Sequence, residues 1–208
     1  MARMFQLTWT GLFPRRPRPG QTLLDPSVTR MRVGLLDLDS YLHVNNGTYL
    51  QMMDVARNNQ IADLGMFPVA REKGWAPVVA ASTMKYRRSL QPFERFEITT
   101  RILGWDERVF YLEQVFTRGD KLCARGIVAS RFLDRKGNRI SPFDVVRDAT
   151  GEDLPSPELP ADVAAWARAV DVAPRVPSTP PDQTSRSDAG DLSPANLSPA
   201  NETSATSL

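Results

Sequence analysis

Hydrophobic positions recur at two different periods along the chain, and the change of period marks the elements. From Asn46 to Leu64, the positions Tyr49, Met52, Met53, Ala56, Gln60 and Leu64 fall mostly three or four apart, the repeat of a helix with one buried face. Asn45 or Asn46 supplies an N-cap side chain, and Gly65 is a natural stop. Upstream, Thr29 to Leu36 (TRMRVGLL) reads as a strand. Downstream, extended segments are bounded by turn residues: 77–88, 93–103, 109–117 and 121–133. The second of these alternates Phe96, Ile98, Thr100 and Ile102, the period of a strand with one buried face. After Pro160, Val163, Trp166, Ala167 and Val170 share one face of a short closing helix.

The order is strand, long helix, then four antiparallel strands. One helix has one apolar stripe and a curved antiparallel sheet has one apolar face, so wrapping the sheet around the helix buries both. The expected class is α+β, a curved antiparallel sheet around one long central helix, over residues 29–171. That unit leaves apolar surface uncovered, so a homodimer or homotetramer is expected.

The ends differ in composition. Residues 172–208 hold no aromatic residue and repeat LSPAN at 192–196 and 197–201, which predicts a disordered Pro/Ser-rich tail. Residues 1–28 read as an N-terminal arm. Gln6, Thr8, Thr10 and Gly11 break its apolar run, which argues against a leader peptide. Trp9, Leu12 and Phe13 beside Arg15, Arg16 and Arg18 are compatible with touching an anionic membrane surface; a solvated basic arm is the plainer reading. No stretch reaches the roughly 20 apolar residues of a membrane span. A formal charge of +2 does not make a nucleic-acid-binding surface. Cys123 is the only cysteine and His43 the only histidine; neither an intrachain disulfide nor a zinc site follows, and a reducing cytoplasmic location fits. No cofactor or metal is expected.

The chemistry concentrates in DLDSYLHVNN, residues 37–46, where the first strand ends and the helix begins. A carboxylate at a helix mouth can attack a carbonyl or deprotonate a water. The first N–H groups of a helix have no intrahelical partner and sit at its positive end, so those of Asn46, Gly47 and Thr48 can hold a carbonyl oxygen. Asp39 is the candidate carboxylate. His43 is either its acid–base assistant or a structural, hydrogen-bonded residue. Asp37 reads as scaffolding and Tyr49 as core. Asp54 and Arg57, three apart, read as a helix-surface pair, with Asp54 a reserve carboxylate. Lys85, Arg87 and Arg88 are candidates for coenzyme A phosphates. Met52, Met53, Met66 and Phe67 are either an acyl tunnel or core.

DLDSYLHVNNGTYL resembles the signature of hotdog-fold acyl thioesterases, in which D-x-D precedes H-x-N-N-x-x-Y at the helix start. The likeness extends to the 4-hydroxybenzoyl-CoA thioesterase-like branch and the plant acyl-carrier-protein thioesterases. Residues 78–116 and 158–166 resemble the animal thioesterase superfamily member six branch, whose proteins carry an N-terminal membrane span. The resemblance covers roughly residues 30–170 and implies the hotdog fold with an acyl-CoA or acyl-carrier thioester as substrate. It places Asp39 where the benzoyl-CoA branch has its catalytic carboxylate, as base or nucleophile. The plant pattern D-x-N-x-H is matched at Asp39 and His43, but Tyr41 stands where that pattern has Asn. A non-catalytic acyl-binding or structural hotdog dimer is the alternative. A hotdog hydratase is set aside, because no Asn-Pro lies between Asp39 and His43.

Overall fold

The computed structural model describes residues 3–174. Its elements are α1 (Met4–Leu12), β1 (Ser27–Arg32), α2 (Asn46–Asp63), α3 (Met66–Lys73), β2 (Ala76–Tyr86), β3 (Arg95–Trp105), β4 (Phe110–Arg118), β5 (Lys121–Leu133), β6 (Arg139–Ile140), α4 (Pro142–Thr150) and α5 (Ala161–Ala169). The strands form one antiparallel sheet in the order β1-β3-β4-β5-β2, with β6 beside β5. The sheet is curved into a half-barrel. Register shifts between Val79 and Ala81, Ile102 and Gly104, and Phe116 and Thr117 mark irregularities of the kind that bend strands.

Alternation along β4 and β5 separates two apolar layers. Phe110, Leu112, Phe116 and Val128 belong to the inner core with Tyr49, Met52, Met53 and Ala56 of α2. Tyr111, Ile127 and Ala129 lie on the other face and pack under Val163 and Ala167 of α5. The long helix therefore fills the concave side and the closing helix covers the convex side, which is the hotdog arrangement.

Besides the helices α3 and α4, which the pattern did not predict, three features depart from the sequence reading. Residues 4–12 form a helix docked on α2 where a solvated arm was expected: Arg3 N–H donates to Gln51 Oε1 (3.0 Å) and Asn58 Nδ2 to Thr10 Oγ1 (3.3 Å). Farther along, Arg15 pairs with the buried Asp63 and donates to Ser27 Oγ (2.9 Å). The extended segment before the long helix stops at Arg32, and Leu35–Asp37 makes one turn of 3-10 helix. Finally, Val172 is buried against the outer layer and the Ala173 carbonyl accepts from Arg108 (2.8 Å), so the ordered chain runs past 171. The tail from 175 onward lies outside the described residues. Among the described residues no helix is long and apolar enough to cross a membrane.

Candidate functional site

The loop leading into α2 is held by its own polar groups. The Asp37 side chain is buried, accepts the Gly34 N–H (2.7 Å) and pairs with Arg3, whose Nε lies 2.9 Å from Oδ1. The Asp37 carbonyl accepts the Asn45 N–H at 2.8 Å. Asp39 then closes a tight turn. Its N–H donates to the His43 carbonyl (2.8 Å), and its carbonyl accepts the Leu42 N–H (3.1 Å). Asp39 Oδ1 accepts the N–H groups of Tyr41 (2.9 Å) and His43 (3.3 Å), as short polar side chains do in turns. Leu42, at φ 58, takes the left-handed conformation this turn requires. Among the described residues Asp39 Oδ2 has no hydrogen-bond partner, and neither does the half-buried His43 imidazole. Tyr41 sits at the exposed tip.

Asn45 is the N-cap of α2. Its Oδ1 accepts the Gly47 N–H (2.8 Å), and its carbonyl accepts the Thr48 N–H (2.9 Å). A Cβ at Gly47 would lie 3.2 Å from that Oδ1, so the glycine makes room for the cap. Of the three amides considered from the sequence, only that of Asn46 is left without a partner among the described residues. The Tyr86 hydroxyl donates to the Asn46 carbonyl (3.3 Å), which sets the end of β2 beside the helix mouth. Lys85 and Arg87 are exposed there, without ion pairs among the described residues. Arg88 spends one guanidinium nitrogen on the Leu122 carbonyl (2.9 Å).

Tyr49 lies under this mouth, edge-on to Tyr86 and Phe116 with ring centroids 5.2 and 5.1 Å away. Burial pushes its phenol up to about 12, so it neither gives up nor takes a proton at neutral pH. The native phenol stays protonated while the unfolded one ionises near 10, so its contribution is complete below 10 and is lost as pH climbs toward 12. Tyr49→Phe is expected to flatten the alkaline fall in melting temperature across that window, measured by thermal unfolding against pH.

A cavity of about 340 Å³ lies farther along α2, under the concave sheet. Ile61, Leu64, Met66, Ile102, Phe110 and Phe132 give it apolar walls, and Asp54, Arg57 and Gln60 give one polar side. Asp39 and His43 do not line it. Asp54 and Arg57 do form the expected pair; Asp54 is 40% exposed but the Arg57 side chain only 13%, and both line the cavity. Arg57 Nη1 donates to Gln114 Oε1 (2.7 Å), and Gln114 Nε2 donates to the Met53 carbonyl and Thr100 Oγ1 (both 3.0 Å). Burial raises the Asp54 carboxyl against the opposing pull of Arg57, and burial lowers the Arg57 guanidinium. Of the four residues considered for an acyl tunnel, Met66 lines the cavity, Met52 and Met53 are core, and Phe67 does neither. Gln114 was missed, although its place in the inward series Phe110, Leu112, Gln114, Phe116 makes it a buried polar group by register alone. Among the described residues no three His, Cys, Asp or Glu gather as a metal site would need.

Residues 33–167 match the family model of the thioesterase-like superfamily. A zebrafish (Danio rerio) protein called THEM6 is 35% identical over 161 residues, 77% of this chain and 78% of its own. Its Xenopus laevis namesake is 38% identical over 132 residues, 64% of this chain and 62% of its own. The crystal structure of YbaW, a probable thioesterase from Escherichia coli, superposes with a TM-score of 0.55 at 23% identity, covering 59% of this chain and 95% of that one.

Proposed function

The chain belongs to the thioesterase-like superfamily, and from that premise we propose that it hydrolyses acyl thioesters of coenzyme A or of an acyl carrier at the mouth of α2. The observation that carries this reading is the pair of unspent groups there, Asp39 Oδ2 and the Asn46 N–H. The carboxylate takes a proton from a water that attacks the thioester carbonyl, or attacks the carbonyl itself to form an acyl anhydride that water then hydrolyses. The Asn46 N–H, at the positive end of the helix, holds the oxygen as it becomes negative. The C–S bond breaks, the thiolate leaves and takes up a proton, and in this reading His43 supplies it. Lys85 and Arg87 supply positive charge for the phosphates of a coenzyme A or carrier arm.

The acyl group needs an apolar site, and the cavity is apolar but lies away from Asp39 within one chain. A two-fold dimer removes the discrepancy. β2 is an edge strand of 11 residues with a single charged side chain, Lys85 near its end, the kind of long edge with little charge that pairs with another strand. Two identical edges related by a two-fold axis pair antiparallel. The Tyr86 end of one β2, beside its own Asp39 loop, then meets the Pro77–Val79 end of the other, which lines the cavity. Each site takes its carboxylate from one copy and its acyl cavity from the other. Ser82→Lys, an exposed position near the middle of β2, sets like charges near one another across the axis. It is expected to give a monomer by sedimentation velocity and to abolish most hydrolysis while the fold, read by circular dichroism, persists.

One observation favours a non-catalytic acyl binder: Asp39 Oδ1 and two of the three candidate amides are already spent on holding the loop. Release of free thiol from butanoyl, octanoyl, hexadecanoyl and benzoyl-CoA by the purified protein decides between the readings. Turnover above the buffer rate on at least one thioester is the expected result. Binding without turnover on all of them overturns the enzyme reading.

A further inference from the structure

The family model begins at residue 33, yet the cavity is not walled by the family domain alone. Leu7 of α1 and Leu23, in the connection that follows, are the two lining residues from outside that span. The rest of the lining comes from α2, the turn after it, the start of α3, the sheet and α4. Residues 3–23 therefore form a strap laid along α2, and its apolar side chains finish the cavity.

The strap is tied down at intervals along the helix. Arg3 reaches Asp37 and Gln51 at the front, and Thr10 meets Asn58 in the middle. Arg15 and Arg18 both pair with Asp63 at the back, and the Arg18 N–H donates to the Asp63 carbonyl (3.0 Å). Arg15 also donates to Ser27 Oγ and the Val28 carbonyl (3.2 Å), which joins the strap to β1. The Asp63 side chain is fully buried, so this tie is a built feature of the fold and not a loose surface pair. A wall held from both ends has a fixed position, and a fixed apolar wall sets how much chain a cavity accepts.

We propose that the strap is the specificity element of the acyl site, with Leu7 and Leu23 setting the length of aliphatic acyl chain accommodated. This rests on the acyl reading of the cavity but not on turnover. Leu7→Phe fills space, and about ten-fold weaker binding of long acyl chains is expected, the equivalent of roughly two methylenes left outside apolar surroundings. Short chains are expected to bind as before. Leu7→Ala enlarges the cavity and is expected to move the optimum to longer chains. Leu23→Phe is the second space-filling variant, used should Leu7→Phe unfold the strap.

The test is displacement of the apolar dye anilinonaphthalene sulfonate from the full chain by a butanoyl-to-hexadecanoyl acyl-CoA series. Hydrolysis of the same series is measured in parallel. A binding optimum that moves with the Leu7 and Leu23 variants supports the proposal even where no form hydrolyses anything, a result that would sink only the enzyme reading. The same chain-length profile in the wild type and all folded variants overturns the proposal, even with hydrolysis intact.

Discussion

Asp39→Asn is expected to lower kcat about 10³-fold, within the range lost with a positioned acid–base group, and to change the melting temperature little. The two oxygens of the side chain carry different duties, which makes the substitution informative. Oδ1 accepts two backbone N–H groups and holds the turn, and an asparagine carbonyl oxygen accepts them equally well. Oδ2 has no partner among the described residues, and asparagine puts there an amide that neither takes a proton nor attacks a carbonyl. Geometry is kept and basicity is lost. Asp39→Ala removes both duties, so it is expected to lose at least as much activity and also to loosen the turn. His43→Ala separates the remaining alternatives. If His43 protonates the leaving thiolate, the variant loses rate chiefly on thioesters with a poor leaving group and regains it with an activated aryl thioester. A purely structural His43 predicts equal losses on both. Steady-state kinetics of the three variants on an alkyl and an activated aryl thioester settles the assignment, and an Asp39→Asn variant with wild-type kcat removes Asp39 from the mechanism.

The hotdog core was legible because its signals are local. The three-and-four repeat of α2, its Asn cap and the period-two strands each need only neighbours in sequence, and the closing helix showed its buried Val163 and Ala167 in the same way. The docked helix α1 was not legible for the opposite reason. Gln6, Thr8, Thr10 and Gly11 look like breaks in an apolar run, but Thr10 bonds Asn58 and Gln6 accepts from Arg3, so two of these polar residues hold the docked helix in place. The ties of the strap join residues 34 and 48 positions apart, and no local pattern records such pairs. Two other elements left signals that went unread. Ser-Pro-Phe-Asp at 141–144 has an N-cap, a proline at the first helical position and an acid in the first turn of α4. Gly65 and Gly74, both left-handed, bracket α3. At the candidate site, the polar run 37–46 singled out the loop before α2, but which of its amides stay free depends on the cap geometry, which spacing alone does not reveal.

Asp37→Ala is the second large effect expected, on activity and stability together, from a residue that touches no substrate in the proposed reaction. Its carboxylate satisfies the Gly34 N–H and the Arg3 guanidinium in a site where the Arg3 side chain is itself only 14% exposed. Truncation leaves the Gly34 N–H without its acceptor and a mostly buried cation without its anion, with only Gln6 Oε1 and the Arg32 carbonyl still accepting from it. A lost hydrogen bond to a charged group costs about 1.5–3 kcal/mol, so a destabilisation of about 3 kcal/mol is expected by chemical denaturation. The loop consequence is separate. Asp37 holds the entry to the Asp39 turn from one side and the front of the strap from the other, so its loss frees both. A displacement of about 1 Å in a reacting group can cost about 10² in rate, and that is the expected fall in kcat/KM. Asp37→Asn discriminates position from charge. It keeps an acceptor for Gly34 but offers Arg3 no anion, and is expected to recover most of the rate and only part of the stability. Arg3→Ala, which unties the strap while leaving Asp37 to hold Gly34, is expected to show the converse: a smaller loss of kcat with a changed acyl-chain preference. Equal losses of rate in Asp37→Asn and Asp37→Ala would mean that the charge of Asp37 itself enters the reaction, and would move Asp37 from scaffold to catalyst.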